Sequence, residues 1–203
     1  MLPPGLSLIA ISDKAWQVIQ AHHCPSFYLD LKKYRAMLPG GHTPYTPNIA
    51  LVNGLLASLR MIEEEGIENV FKRHACLRDM TRAGVRALGL PLLVKDEAAS
   101  PTLTSVVFDL VDANEFRKMM RENFHVAVGG GLGKLKGKLL RLGHMGYTDE
   151  ADVLKMFAAL ELGLTKIGYQ VELGASVAAA QNYWLEHPYK AFTHLPAQSA
   201  VNS

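Results

Sequence analysis

Cysteine is scarce in this chain, and neither sign of charge is in large excess. Of 203 residues, only Cys24 and Cys76 are cysteines, so a disulfide framework and a cysteine-rich metal site are excluded. No cluster of histidine, aspartate and glutamate has metal-ligand spacing either. Basic residues number 21 and acidic residues 19, a net charge of +2 that does not indicate a nucleic-acid-binding protein. Free thiols favour a reducing, cytoplasmic location.

Long apolar runs are also missing. No run approaches the roughly 20 residues that a membrane-spanning helix needs, so we expect no membrane association. The apolar segment 7–12 follows two prolines rather than basic residues, and it therefore reads as a buried strand and not as a signal peptide. With 49% apolar and 20% charged residues, the composition is that of an ordinary globular protein.

Helical periodicity begins after Pro47. Apolar residues recur at intervals of three and four until Gly66, and a second helix is expected from about Ile67 to Leu88. The further predicted elements are a helix after Ser12, a short helix after Leu29, strands at 104–110, 125–128 and 138–143, and helices at 114–122 and 150–167. The last twenty or so residues are polar and contain Pro188 and Pro196, so we expect a frayed tail.

This order of elements predicts a small α+β unit with one sheet covered by helices. The first 45 residues do not fit that unit, because they contain a single strand with no partner strand nearby in the sequence. Such an unpaired strand is unfavourable on its own, since its backbone groups need a neighbouring strand. The pattern therefore indicates a domain boundary in the Pro-rich stretch before Asn48.

The glycine- and lysine-rich stretch 129–138 resembles a phosphate-binding loop in composition only. The spacing fails, because Leu135 stands where a P-loop requires serine or threonine, and Gly-x-Gly-x-x-Gly does not occur either. A solvated hairpin is the simpler interpretation. An anion- or RNA-binding surface is a rival, since Lys134, Lys136 and Lys138 alternate and would share one face of a strand.

Arg141 lies inside an apolar strand, where alternation places it on the face opposite Leu140 and Leu142. If that face is buried, the guanidinium requires an anion, and its planar shape suits a carboxylate. A solvent-facing arginine is the alternative. His144, a few residues on, has no carboxylate at a suitable spacing and is expected to be structural.

The stretch 43–48 comes directly before a helix. Thr46 or Asn48 can cap that helix, and a free hydroxyl at a helix N-terminus is also a suitable phosphate ligand. Cys24 and Cys76 are expected to be inert thiols, since the sequence places no lysine or arginine directly beside them.

Four segments together resemble one family. They are Leu2–Trp16, Pro44–Asn48, Glu63–His74 and Gly131–Gly146, and their order and spacing are similar to those of class V aminotransferases of the serine–glyoxylate and alanine–glyoxylate group. The resemblance covers roughly residues 1–185. It implies an α/β protein, namely the C-terminal part of a fold type I pyridoxal-phosphate-dependent transferase. Residues 1–47 would be a remnant of the large domain that includes its last strand, 48–185 the connecting helix and small α+β domain, and 186–203 a tail.

The resemblance also implies site residues and a reaction. Arg141 matches the arginine that binds the substrate carboxylate, and Thr46 matches a threonine that reaches the cofactor phosphate of the other subunit of a homodimer. Thr43 stands where some relatives have an aromatic phosphate ligand, and Tyr45 is the candidate substitute. The implied reaction transfers an amino group between a small amino acid, serine or alanine, and a 2-oxo acid such as glyoxylate.

The family's cofactor-bearing lysine lies in a segment like Ser-Gly-Ser-Gln-Lys directly before the Pro-Pro-Gly turn, and Met1 stands about three residues beyond that position. No lysine of this chain has a matching context, so we assign no catalytic residue and expect this chain alone to be inactive. A non-catalytic module that keeps the carboxylate-binding arginine is the remaining alternative.

Overall fold

The computed structural model describes residues 2–189, and over that range it contains seven α-helices and three short β-strands. The helices are α1 (Asp13–Ala21), α2 (Leu31–Met37), α3 (Ile49–Glu65), α4 (Ile67–Ala87), α5 (Ala113–Phe124), α6 (Glu150–Lys166) and α7 (Ala175–Glu186). The strands are β1 (Leu103–Val107), β2 (Gly129–Gly130) and β3 (Leu139–Gly143). The chain divides into two compact units, Met1–Met61 and Ile62–Ser203, and the division falls within α3. The domain limits at residues 47 and 185 stay predictions.

In the first unit, short polar side chains start the helices. The Ser12 hydroxyl accepts a hydrogen bond from the Ala15 amide at 3.3 Å, and an Asp30 oxygen accepts one from the Lys32 amide at 3.0 Å. Both helices after these caps agree with the sequence prediction. The predicted strand at 7–12 is wrong, because this segment forms no strand in the structure. A strand is defined by its hydrogen-bonded neighbour, and none of the three strands in residues 2–189 pairs with this segment.

The junction between α3 and α4 is also as predicted. An Asn48 side-chain oxygen accepts from the Leu51 amide at 3.1 Å and caps α3. Gly66 separates the two helices with φ of +82°, a backbone conformation that favours glycine.

The second unit is built on an antiparallel sheet of order β1–β3–β2. The central strand β3 pairs Ser105 with Arg141 on one side and Gly129 with Arg141 on the other. One face of the sheet is buried against the helices, as expected for this sequence. Its core side chains are Leu77, Met80, Val106, Phe108, Phe116, Met120, Leu140, Leu142, Phe157, Leu160 and Leu164. The other face includes Arg141 and is only partly buried.

The strand before the glycine run is displaced from its predicted position. The sequence predicted a strand at 125–128, but β2 consists of Gly129 and Gly130. Helix α5 runs on to Phe124, and His125 ends it in the left-handed conformation with φ of +56°. The chain can therefore pair with β3 only a few residues later.

A buried glutamate joins the last two helices. Glu161 of α6 is 3% exposed, and its carboxylate accepts from the amides of Gly174 and Ser176 and from the Ser176 hydroxyl at 2.6–2.8 Å. Helix α7 has no side-chain cap of its own, so α6 supplies the acceptors for its first turn. Sequence reasoning missed α7, which continues to Glu186. The expected frayed tail falls mostly on residues 190–203, which lie outside the described part.

Among residues 2–189, no helix combines the length and the apolar character needed to cross a bilayer.

We predict that Glu161→Gln destabilises the protein by about 1–3 kcal/mol, because the amide replaces one accepting oxygen with a donor that faces other donors. Urea unfolding monitored by circular dichroism measures the change. Glu172→Gln, at an exposed position, is the matched control and is expected to unfold like the wild type. Equal unfolding free energies for Glu161→Gln and Glu172→Gln would contradict the capping role.

The same contact predicts how stability depends on pH. Burial acts to raise the pKa of Glu161, but the donors at residues 174–177 outweigh it and hold that pKa below its usual value. A carboxyl with a lowered pKa in the folded state stabilises the protein above its unfolded-state pKa of about 4.3. We therefore expect this contribution to be lost as pH falls below about 4.3, and Glu161→Gln to flatten that part of the stability profile.

Candidate functional site

Arg141 lies on the less covered face of the sheet, as its place in the strand predicts. Its strand neighbours Leu140 and Leu142 are fully buried on the opposite face. The register places Gly129 directly beside Arg141 on β2 and Ser105 directly beside it on β1. Arg141 is therefore the one large side chain in a row of three that spans the described sheet.

Gly129 allows the arginine side chain to lie close to strand β2. A Cβ atom at Gly129 would stand 3.1 Å from the Arg141 Cβ and 3.3 Å from its Nε. Both separations are tighter than ordinary van der Waals contact, so any side chain at position 129 would press on the arginine. With a side chain at position 129, Arg141 would have to move by a few tenths of an ångström.

The Nε–H group of Arg141 has no acceptor in the described part of the chain. Its Nε is buried, and no hydrogen-bond partner lies within reach among residues 2–189. A buried donor without an acceptor costs about 1–3 kcal/mol, and more when the group is charged. This cost is removed when an acceptor that is not part of the described chain binds there. A guanidinium prefers a carboxylate or a phosphate in that role.

Arg117 holds the edge strand in place from the helix side. Its Nε donates to the Val128 carbonyl at 2.8 Å, and its guanidinium lies against Gly130, where a Cβ would come within 2.5 Å of Nη1. Sequence reasoning missed both Arg117 and Ser105. Their roles depend on the register of the strands, which the residue pattern alone does not provide.

The glycine- and lysine-rich stretch is a structured connection between β2 and β3. The amides of Leu135, Lys136 and Lys138 donate within the loop to carbonyls three residues back. These amides are therefore not free to bind a phosphate, which agrees with the failed P-loop spacing. The predicted strand alternation of the three lysines is wrong, because residues 133–135 form a short 3₁₀ turn and Lys138 precedes β3. The surface proposed for RNA on that basis loses its support.

The Thr46 hydroxyl is available in the first unit, and that of Tyr45 is not. Asn48 caps α3, and Thr46 is exposed without a hydrogen bond to any residue in the range 2–189. The Tyr45 hydroxyl donates to the Phe27 carbonyl at 2.5 Å, and its ring stacks on Tyr28 with 4.5 Å between centroids. Tyr45 as a phosphate ligand stays a prediction that these contacts do not favour.

His144 and Cys76 are structural, as expected. His144 is 1% exposed, its Nε2 lies 2.9 Å from the Thr104 hydroxyl, and burial lowers its pKa to about 4. Burial raises the pKa of the Cys76 thiol to about 11, so it is protonated at neutral pH. Among residues 2–189, no group of three or more metal-ligating side chains comes together.

A surface cavity of about 410 Å³ beside α4 does not have the features of a binding site. Asp96 at its wall accepts hydrogen bonds from Arg82 and Arg86 at 2.5–2.7 Å, and Arg82 also donates to the Val94 carbonyl. These contacts satisfy the arginines and fasten the loop before β1 to α4. The role of these residues in holding the loop accounts for the charged side chains at this cavity without a ligand.

Comparison with known proteins identifies the class. A family model described as aminotransferase class-V matches residues 3–155. The chain is 36% identical over 189 residues to serine–glyoxylate aminotransferase of Arabidopsis thaliana. This match covers 92% of this chain and 47% of that protein. It is 42% identical over 181 residues to a protein of Synechococcus sp. named soluble hydrogenase small subunit, covering 89% and 47%. The crystal structure of pyridoxamine–pyruvate aminotransferase from Mesorhizobium loti superposes with a TM-score of 0.80 and 31% identity, covering 86% and 46%.

The fold is therefore that of a pyridoxal-phosphate-dependent transferase, specifically its α/β C-terminal part. The chain belongs to the class V aminotransferase family. It spans about half the length of the curated relatives it matches.

The residues present fit part of a pyridoxal phosphate site. The unbonded Thr46 hydroxyl, two residues before the cap of α3, fits a phosphate contact. None of the 11 lysines in residues 2–189 is buried, and the Nζ of partly buried Lys32 already donates to the carbonyls of Gln20 and His22. The described residues thus provide a candidate phosphate contact and a candidate carboxylate contact, and no desolvated lysine.

We predict that Gly129→Val displaces the Arg141 side chain, because the added carbons overlap the space that the arginine now fills. The Arg141 Nε–H resonance in a nitrogen-15 NMR spectrum is expected to shift and to exchange faster with water. Gly143→Ala is the matched control in the same sheet, since a Cβ there meets nothing within 4 Å. An unchanged Arg141 resonance in Gly129→Val would contradict the packing argument.

Proposed function

We propose that this chain supplies the substrate-carboxylate site of an aminotransferase that acts on a small amino acid, serine or alanine, and a 2-oxo acid such as glyoxylate. The observation that supports it best is the buried Arg141 Nε–H without an acceptor. The Arabidopsis relative is named for serine and glyoxylate, and both of these carry the carboxylate that a guanidinium binds bidentately.

In this proposal Arg141 orients the substrate and does not take part in bond breaking. Two parallel N–H···O contacts fix the plane of the carboxylate and hence the direction in which the Cα–H bond points. Ser105 and Gly129 on either side keep the row free of bulky side chains, so a small amino acid can approach the guanidinium. Pyridoxal phosphate, when bound, supplies the electron sink for the reaction.

Thr46 is proposed to contact the cofactor phosphate of the other subunit in a homodimer. Its exposed, unbonded hydroxyl and its place just before α3 support this role, since the N-terminal end of a helix attracts an anion. A cytoplasmic location is part of the same proposal and is supported by the two unpaired cysteines, Cys24 and Cys76.

We also propose that the 203-residue chain does not transaminate on its own. A cofactor-bearing lysine requires a desolvated setting in which its amine loses its charge readily. The lysines of the described range are exposed or, like Lys33, partly buried with Nζ on a carbonyl, here that of Phe27 at 3.2 Å. A carboxylate-binding module without catalysis has the same Arg141 site, and the two experiments below separate the binding role from turnover.

We predict that glyoxylate binds to the purified chain at Arg141. Titration of glyoxylate should move the Arg141 Nε–H resonance, and Arg141→Met should weaken binding about tenfold or more, because a hydrogen bond to a charged group contributes about 1.5–3 kcal/mol. Arg141→Lys keeps the charge without the bidentate geometry, so its glyoxylate affinity should lie between those of the wild type and Arg141→Met. Arg121→Met, at an exposed position on α5, is the control. Equal glyoxylate affinity in wild type and Arg141→Met would refute the carboxylate site.

We predict no transamination when pyridoxal phosphate, serine and glyoxylate are added to the purified chain. Glycine formation, followed by chromatography, should not exceed that with the free cofactor. Turnover well above this level that is lost in Arg141→Met would contradict the proposal and would show that the chain is itself catalytic.

A further inference from the structure

One glycine after β3 is held at both of its main-chain groups by neighbouring side chains of α4. Arg73 Nη1 donates to the carbonyl of Gly146 at 2.9 Å and to that of Thr148 at 2.9 Å. The Gly146 amide donates to His74 Nε2 at 3.1 Å. Gly146 has φ of +80°, so the turn depends on this residue and on these contacts. We refer to Arg73 and His74 as the Gly146 clamp.

The contacts of His74 determine where its proton lies. Its Nδ1 is 2.7 Å from the Val70 carbonyl, which can only accept, so Nδ1 carries the hydrogen. Its Nε2 faces the Gly146 amide, which can only donate, so Nε2 has no hydrogen. The clamp therefore requires the neutral imidazole. A proton on Nε2 would place two N–H groups against each other and remove the contact.

The other half of the clamp is rigid. Arg73 and Glu65 form a bidentate pair with N···O distances of 2.7 and 2.9 Å, and their side chains are 0% and 4% exposed. Losing either partner would leave a buried charge, which is strongly unfavourable. The Arg73 contacts are thus insensitive to small changes, and His74 is the member of the clamp that can change state.

The clamp lies on the segment that ends the Arg141 strand. Gly143 closes the pairing with Leu103, and the His144 amide donates to the Thr102 carbonyl at 3.0 Å. Gly146 follows two residues later, and both of its main-chain groups are bound by side chains of α4. The chain from Arg141 to Gly146 is therefore held at both ends.

We propose that neutral His74 is a positioning residue for Arg141, and that its protonation loosens the end of β3 and weakens carboxylate binding. This proposal rests on the proposed function, because the carboxylate site is the one at Arg141. Among the charged and titratable groups of this region, His144 of the following loop interacts electrostatically with both His74 and Arg78. Arg73 is paired with Glu65 of α3, and Arg78 with Asp79 at 2.7 Å.

Two substitutions separate the role of the Nε2 acceptor from simple packing. His74→Gln offers an oxygen near the place of Nε2, and His74→Leu fills space without any acceptor. We expect the exchange protection factor of the Gly146 amide to fall roughly 2- to 10-fold in His74→Leu and to stay near the wild-type value in His74→Gln. The Arg141 Nε–H resonance should likewise shift, and glyoxylate affinity fall, in His74→Leu, and both should stay near the wild-type values in His74→Gln.

A pH titration of the wild-type chain provides the second readout. The imidazole resonances give the pH at which His74 takes up its proton, and Gly146 protection, the Arg141 resonance and glyoxylate affinity should all change with that same midpoint. His74→Gln should remove this step. The titration also stands by itself if His74→Leu fails to fold.

Equal protection of the Gly146 amide in His74→Gln and His74→Leu would contradict the role of His74 in holding Gly146. Unchanged Gly146 protection as His74 protonates would contradict it as well. Release of Gly146 with no change at Arg141 would overturn its positioning role. If glyoxylate does not bind the wild type at all, the proposed function fails separately, and the Arg141 resonance still decides whether His74 positions that side chain.

Discussion

The pairing of β3 with a strand on each side determines what Arg141 can contact. Because side chains alternate along a strand, burying Leu140 and Leu142 against the helices forces Arg141 onto the other face. The register then sets Gly129 and Ser105 as its neighbours. A shift by one residue would exchange the two faces, placing the guanidinium in the apolar core and two leucines outside. The apolar core and the candidate site are therefore specified by the same hydrogen-bond pattern.

Local features of the sequence were sufficient for most helices. Ser12, Asp30 and Asn48 cap the helices that follow them, and Gly66 separates α3 from α4 as its position indicated. The strand at 7–12 was wrong because an apolar run shows that a segment is suited to burial and does not show that a partner strand is present. Helix α7 was missed because its first turn is capped by Glu161 of another helix, a contact that local sequence does not reveal.

The same distinction applies to the candidate site. Arg141 stood out because a charged residue inside an apolar strand calls for an explanation, and Thr46 because a hydroxyl precedes a helix. The environment of each residue was not predictable in this way. The buried Nε of Arg141, the glycine that lies against it and the two-sided hold on Gly146 all depend on residues that are far apart along the chain. Only the folded arrangement brings them together.

The contact between Glu161 and the start of α7 limits where this chain can be shortened. A carboxylate that is 3% exposed tolerates its charge because three donors from residues 174–176 surround it. Deleting α7 would not simply remove a peripheral helix, since it would remove the two Ser176 donors that the Glu161 carboxylate of α6 now binds. Exchange of C-terminal segments between relatives would accordingly have to transfer α6 and α7 as one piece.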